Sequence, residues 1–463
     1  MAKLSIRDEK FRDEVLYGPI WPVIFKVCLP LALFQAVTNL FNILDTIMAS
    51  AISSEAVSTV VYMVQLQHIV AAVGGGLAVG GTILISRSYG SGDYDKVKET
   101  LSTLIAISAC FAFLVLLSLP FIPSLLKLAG TPEAFIRSGS KYFMLLMIAV
   151  VLSYFNSIYI SIEKSRGESK KIVVLNIIQI VVKLALTAIF IYVFNGTIIH
   201  IAIATIISYS VVFIYGLYAL TKDDDAFSFA FKSIVMKKST VLPILKLSFP
   251  SMVEKIAFSL GKAEVNKMAA DYGSDAVGAA GISNNMSGML TGWQYGIMDG
   301  GTALLGQLKG HDDLDRTIKA YRRMQLAQIL IGIIGIVIIY VLTTPIAKLF
   351  AFAKGGFNET FFNMIIKTFH YELFGCLLLS LYYASIPIIL ATGRTKLTLF
   401  INFARVFIFR LPLIFYFSHF TALDYSAVGL TVAISNSLTG LLAFIVGEII
   451  IKKERQSAAK SIN

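Results

Sequence analysis

Apolar residues in this chain run on at length before a charge interrupts them, and roughly 20 consecutive apolar residues suffice for a helix to cross a bilayer. Twelve such runs are expected, at 20–50, 57–86, 101–125, 141–163, 172–194, 198–220, 244–270, 277–307, 324–350, 362–390, 397–418 and 426–451. Those at 57–86 and 277–307 are broken by glycines and polar residues and give the weakest signal. Pro387 and Pro412 fall inside the tenth and eleventh runs and are expected to kink them. The pattern predicts an all-α membrane protein.

The pattern also repeats. Pro30 is matched by Pro250, Met48-Ala49 by Met268-Ala269, and Ala56-Val57 by Ala276-Val277. Gly80-Gly81-Thr82 is matched by Gly300-Gly301-Thr302, and Gly90 by Gly310, with no gap needed. Each copy would hold six spans, an even number, so both begin on the same side of the membrane. Copies of like orientation are related by a pseudo-two-fold axis along the membrane normal. The expected division is an N-lobe at 1–221, a charged linker at 222–243 and a C-lobe at 244–463. Rocking two such lobes exposes a cavity between them to either side in turn.

Composition agrees. Residues are 56% hydrophobic and only 15% charged, with a mean hydropathy of +0.76, whereas soluble domains average about 25% charged. The net charge of +12 does not imply a nucleic-acid partner, because lysine and arginine collect at the N-terminus, in alternate loops and in the tail. This positive-inside distribution places both termini in the cytoplasm. The polar N-terminus shows no signal peptide. Cys28, Cys110 and Cys376 sit singly in apolar runs and read as small buried hydrophobes. The chain lacks a Walker motif, a G-x-S-x-G and any soluble lobe large enough to bind nucleotide. An enzyme or an ATP-driven pump is therefore not expected, and no cofactor is.

Charged and polar residues within spans are costly, about 2.5–3.5 kcal/mol for a charge at a helix centre, so each needs a partner or a task. On the first span Gln35, Thr38, Asn39, Asn42, Asp45, Thr46 and Ala49 recur every three to four residues and mark one helix face. The fifth span carries Asn176, Gln179, Lys183 and Thr187 at the same spacing. Span seven presents Ser251, Lys255, Ser259, Lys262 and Asn266, while Asp299, Glu372, Arg405 and Arg410 lie in later spans. Structural ion pairs and a charged cavity wall explain these C-lobe charges equally well. Gly74-Gly75-Gly76 and Gly80-Gly81 read as close helix packing.

The segments P-L…N-I-L-D-T-I-M-A, G-L-A-V-G-G-T-I-L-I-S-R-S-Y-G-S-G-D-Y-D-K, L-A-G-T-P-E-A, P-S-M-V-E…N-K-M-A-A-D-Y-G-S-D-A-V-G-A-A-G-I and A-T-G-R-T-K together resemble the MATE exporters over nearly the whole chain. The resemblance implies a secondary antiporter that expels an organic compound from the cytoplasm, driven by inward proton or sodium movement. It makes Asp45 the N-lobe coupling carboxylate; the alternative is a carboxylate satisfied by packing. Lys183 and Thr187 stand where many members carry Asn-x3-Asp, and Thr205 matches a threonine that lines the same pocket. With Asn42 these residues form the expected ion-coupling set. An ammonium so placed would pair with Asp45 and compete with sodium, which favours the proton. The acidic residues that one branch carries in spans seven and ten are missing at the matching places, so a sodium site there is unsupported.

Gln35, Asn39, Gln179, Lys255, Lys262, Asn266, Asp299 and Arg405 are expected to line the substrate cavity. Its basic character turns away lipophilic cations and suits polar or zwitterionic cargo. The setting implied is a monomer in the lipid bilayer of a bacterial or archaeal inner membrane. A lipid-linked saccharide flippase of the same superfamily, or a non-transporting scaffold, are the alternatives.

Overall fold

The computed structural model describes residues 3–462 except 51, 53, 223, 270, 271, 273, 354 and 355. Side chains are not described at 39–50, 54–58, 61, 262, 263, 266, 267, 269, 274, 275, 277, 349, 350, 352, 353, 356, 461 and 462. The chain is almost entirely helical: α1 Ile6–Tyr17, α2 Ile20–Ser50, α3 Ser54–Ser91, α4 Tyr94–Ser118, α5 Ile122–Leu128, α6 Glu133–Ser165, α7 Ser169–Ala188, α8 Ile198–Lys222, α9 Lys238–Ala269, α10 Ser274–Gly310, α11 Leu314–Ala351, α12 Glu359–Ala391, α13 Thr395–Phe403, α14 Leu411–Phe420 and α15 Ser426–Ile462. The only described strands are a two-residue ladder, Phe352–Ala353 against Gly356–Phe357.

All twelve expected spans are helical, and ten described helices are long and apolar enough to cross a membrane. Several carry an apolar face with no protein over it: Phe113, Leu114 and Leu117 on α4, and Ile334, Val337 and Val341 on α11. A surface of that kind suits lipid, which asks only that backbone groups be satisfied within the helix.

Packing divides the chain into two units, Met1–Gly18 with Val37–Ile256, and Pro19–Ala36 with Ala257–Asn463. The cuts at Ala36–Val37 and Ile256–Ala257 fall at positions that the repeat pairs with one another. The first part of α2 thus packs with the later helices, and the first part of α9 with the earlier ones.

Close approach to glycine explains both placements. In the first unit Gly76 of α3 lies against Met252 and Ser248 of α9, and Gly80 against Ser248 and Ile244. In the second, Gly296 of α10 meets the backbone of Leu31 and Ala32 in α2, and Gly300 meets Cys28. Gly76 and Gly80 are the repeat partners of Gly296 and Gly300, and Ser248 and Met252 those of Cys28 and Ala32. Paired small residues four apart let two backbones touch, so the duplicated sequence reproduces one contact in each unit.

The first unit builds its core between α3 and α6 around Met63, Tyr142, Leu146, Val150 and Tyr154, whose hydroxyl donates to the Val70 carbonyl at 2.8 Å. Helix α1, which the span pattern does not include, is capped by Ser5, whose Oγ accepts from the Asp8 amide at 3.2 Å. Its Arg12 donates at 3.1 Å each to the carbonyls of Gly90 and Tyr89, the latter also accepting from the Gly92 amide, at the end of α3. Gly167, at φ 82°, turns the chain after α6 and leaves room for the Phe11 ring. The linker after α8 is pinned to the first unit. The Ala226 amide donates to the Lys3 carbonyl at 2.9 Å, Val235 N to Thr103 Oγ1 at 3.0 Å, and Phe227 is buried.

The second unit packs α10, α11 and α12 around Met286, Leu290, Ile339, Phe369, Leu373 and Cys376, with α15 against α12. Two π-helical stretches interrupt the spans, at Ile189–Val193 after α7 and at Ala404–Arg410 between α13 and α14. Pro412 lies just beyond the second. It has no amide hydrogen to continue the α-pattern, and the preceding turns take the wider i→i−5 bonding, as in Leu411 N to Val406 O. Pro387 lies inside α12.

Candidate functional site

The two polar constellations of the sequence fall on different helices, and each is described within its own unit. In the first unit, α7 buries Asn176, Lys183 and Thr187 on one face, at 8%, 3% and 0% exposure. The Asn176 amide donates to Thr38 Oγ1 on α2 at 3.1 Å, so the stripes of spans one and five do meet. Thr205 is buried on α8, which packs beside α7, and its hydroxyl bonds back to the Ile201 carbonyl at 2.9 Å. Thr187 Oγ1 is buried and has no hydrogen-bond partner among the described residues. Gln179 is half-buried. The side chains of Asn39, Asn42 and Asp45 lie outside the described residues, as do those of Lys262 and Asn266, so the expected Asp45–Lys183 pairing falls there too.

Lys255 belongs by sequence to the C-lobe but packs in the first unit, its Cε 3.2 Å from where a side chain on Gly75 of α3 would begin. Gln35, on the first-span stripe, belongs to the second unit and is half-buried. A helix shared between two packing units cannot be apportioned from periodicity alone.

In the second unit the densest polar contacts surround the π-helical stretch. Arg405 Nε and Nη2 donate to Asn436 Oδ1 of α15 at 3.2 and 2.7 Å. Arg410 Nη2 donates to the same oxygen at 2.9 Å, and its Nε to Ser435 Oγ at 3.0 Å. Arg410 is buried and Arg405 half-buried, with its guanidinium 5.3 Å from the Phe258 ring centre. On α12, Glu372 is buried and accepts from Ser287 Oγ at 2.6 Å. Gln294 donates to Ser380 Oγ at 2.6 Å, and Gln328 to the Gln294 carbonyl at 2.9 Å. Asp299 is half-buried.

The expected cavity set omits Arg410 and Asn436. Five residues apart on an α-helix, Arg405 and Arg410 would point about 140° apart; the wider π turn brings them to one acceptor. The polar triplet Ser435-Asn436-Ser437 inside the last apolar run was the available signal.

No group of three or more His, Cys, Asp or Glu among the described residues is arranged to hold a metal. Instead, buried polar groups lie within helices whose apolar faces are open to lipid, the arrangement of a membrane protein with a polar interior path.

The family model for MatE matches residues 30–189 and again 250–416. The chain belongs to the MatE family. The two matched segments begin at Pro30 and Pro250, the first paired positions of the two copies of the internal repeat. The probable multidrug resistance protein YoeA of Bacillus subtilis (strain 168) is 25% identical to this MatE protein over 82% of the chain and 83% of its own length. The multidrug export protein MepA of Staphylococcus saprophyticus is 22% identical over 59% of the chain and 62% of its own length.

Among solved structures, MATE in complex with MaL6 superposes with a TM-score of 0.91 over 96% of the chain and 99% of its own, at 19% identity. An outward-facing multidrug resistance MATE transporter of the MOP superfamily gives 0.90 over 96% and 98%, also at 19%. A MOP superfamily transporter from Pyrococcus furiosus, described as having a binding pocket of reverse polarity, gives 0.90 over 98% and 99%, at 18%. At such identities the likeness establishes the two-lobe, twelve-helix MATE fold. This MatE protein is a multi-pass membrane transporter.

Proposed function

We propose that this transporter exports a polar or zwitterionic organic compound from the cytoplasm by alternating access, in exchange for inward-moving protons. The reading takes 1–221 and 244–463 as the two moving lobes and 222–243 as their cytoplasmic link. The protein works as a monomer in a bacterial or archaeal inner membrane, with both termini cytoplasmic. Multidrug export is the activity named for its relative MepA, and multidrug resistance that named for YoeA.

The observation that carries proton coupling is Lys183, buried at 3% exposure on a membrane-spanning helix, one turn from Thr187, whose hydroxyl has no partner among the described residues. A fixed ammonium there repels a sodium ion and competes with it for a neighbouring carboxylate, which leaves the proton as the coupling ion. Asp45 is that carboxylate in this reading, and Asn42 and Thr205 complete its polar surroundings. When Asp45 takes up a proton its attraction to Lys183 falls, and the helices carrying them are free to rearrange.

The test uses purified protein in liposomes enclosing a pH-sensitive dye. An imposed pH gradient should drive counterflow of organic probes, and a sodium gradient alone should not. Asp45→Asn and Lys183→Met should abolish the pH-driven component, while Lys183→Arg keeps part of it. Full transport by Lys183→Met, or transport driven by sodium alone, would sink the proton reading and leave family membership untouched.

A further inference from the structure

A buried guanidinium is stable only where charge or hydrogen bonds compensate it. Arg405 and Arg410 converge on a single amide oxygen, Asn436 Oδ1, with one further neutral acceptor, Ser435 Oγ. Among the described residues, neither forms an ion pair with a carboxylate. Glu372 acts on Arg410 from beyond ion-pair contact, and its carboxylate already accepts from Ser287. Among the described residues two cations face this one carboxylate, so the described cluster carries one positive charge in excess. Five N–H donors per guanidinium cannot be satisfied by two neutral oxygens.

From this geometry we infer that Arg405, Arg410 and Asn436 form an oxyanion site that takes a carboxylate group of the transported compound. Arg405 is the half-buried member and so the one a ligand reaches first. Its fork of donors matches a carboxylate in bidentate fashion, and the Phe258 ring, 5.3 Å from its Cζ, fixes the guanidinium plane by a cation–π contact. Arg410 lies deeper, at 6% exposure, and adds field without needing direct contact. A purely structural clamp between the π-helical stretch and α15 needs one arginine, and the second raises the cost of the first by repulsion. Charge excess at close quarters is explained by an anion that arrives and leaves. The inference deepens the export reading by naming a chemical group on the cargo.

The experiment uses the full chain in lipid nanodiscs at constant chloride, titrated calorimetrically with benzoate and, separately, with benzamide, its neutral counterpart of the same shape. Saturable heat is expected from benzoate alone. Arg405→Gln should weaken benzoate binding by roughly tenfold or more, the loss of a hydrogen bond to a charged group, and Arg405→Lys should recover part of it. Equal responses to benzoate and benzamide on the unaltered protein would overturn the site, whether or not any variant folds. So would benzoate binding left unchanged in a folded Arg405→Gln.

Counterflow in liposomes keeps this failure separate from that of export. Organic cations transported with no benzoate binding would leave an exporter without this site. Benzoate bound with no solute transported would leave the site and remove the export reading.

Discussion

The Asp8–Arg166 pair decides whether α1 is part of the fold or an appendage. Arg166 donates from Nη2 to Asp8 Oδ2 at 2.8 Å and from Nε to Oδ1 at 3.2 Å. The two side chains are 9% and 1% exposed. Burial alone would lower the Arg166 pKa, but the carboxylates of Asp8, Glu163 and Asp225 outweigh it and hold the group above its ordinary value. Removing one partner of a buried pair costs about 3–5 kcal/mol, because the other charge is stranded.

Here Arg166 would keep Asp225 at 3.5 Å and the Phe227 ring at 5.0 Å, so Asp8→Asn belongs at the lower end, about 3 kcal/mol. At 1.36 kcal/mol per factor of ten that is a roughly 150-fold rise in local opening. Hydrogen exchange of the amides of α1 reads it directly. Protection over 6–17 should fall by about two orders of magnitude, while α12 is unchanged. Adding Arg166→Met should restore much of the loss, since the stranded charge goes with it. Asp13→Asn, whose side chain is 56% exposed, should change little. A fall below about fivefold, or one shared equally by α12, would refute the buried-pair account.

Three further outcomes are expected. Gly296→Ala would drive a methyl into the backbone of Leu31 and Ala32 and should cost about 1–3 kcal/mol. Gly281→Ala meets nothing within 4 Å among the described residues and should be neutral or stabilising by up to about 1 kcal/mol; equal melting points for the two variants would contradict the packing. Asp424→Asn should cost less than about 1 kcal/mol, because Lys367 and Asp424 are 43% and 49% exposed and solvent screens the pair. The Asp424 carboxyl is pulled down to about 2, first by the Lys367 hydrogen bond and then by Ser426. A depressed carboxylate contributes fully above its unfolded value of about 3.9 and loses that contribution as pH falls toward 2. Melting curves of the parent and Asp424→Asn should therefore converge over that window, and a constant offset down to its lower end would show that the pair is not the source. Finally, Asn436→Ala should weaken benzoate binding less than Arg405→Gln does, since it removes the positioning acceptor and leaves both cations; the reverse ranking by calorimetry would contradict the assigned roles.

The helices were legible because lipid makes helix length and apolarity nearly the same property. The repeat was legible too, down to the glycines that later prove to touch the opposite first span. Periodicity does not show which helices those glycines touch. Gly76 and Gly296 are small residues on a glycine-rich run in either case, and only the folded chain tells that their partners are Met252 and the Leu31–Ala32 backbone. Helix α1 escaped the reading for a different reason. Its anchors are contacts far along the chain, Asp8 with Arg166 and Arg12 with the carbonyls of Tyr89 and Gly90, and no local pattern encodes contacts at that separation.

The candidate site divides along the same line. Asn176, Lys183 and Thr187 fall on one buried face because three-to-four spacing on a straight α-helix maps directly to direction. Arg405 and Arg410 defeat that rule. Their spacing separates them on an α-helix, and they converge because the stretch from Ala404 to Arg410 is wound wider, next to Pro412, which cannot supply the hydrogen bond an α-turn would need. A proline shortly after two membrane arginines, as Pro412 follows Arg405 and Arg410, is thus a reason to consider both windings of the helix face. In span eleven the wider winding puts both arginines on one side, where they can meet one anion. The sodium-type reading of the C-lobe, which looks for carboxylates at fixed α-helical places, has no means of finding such a site.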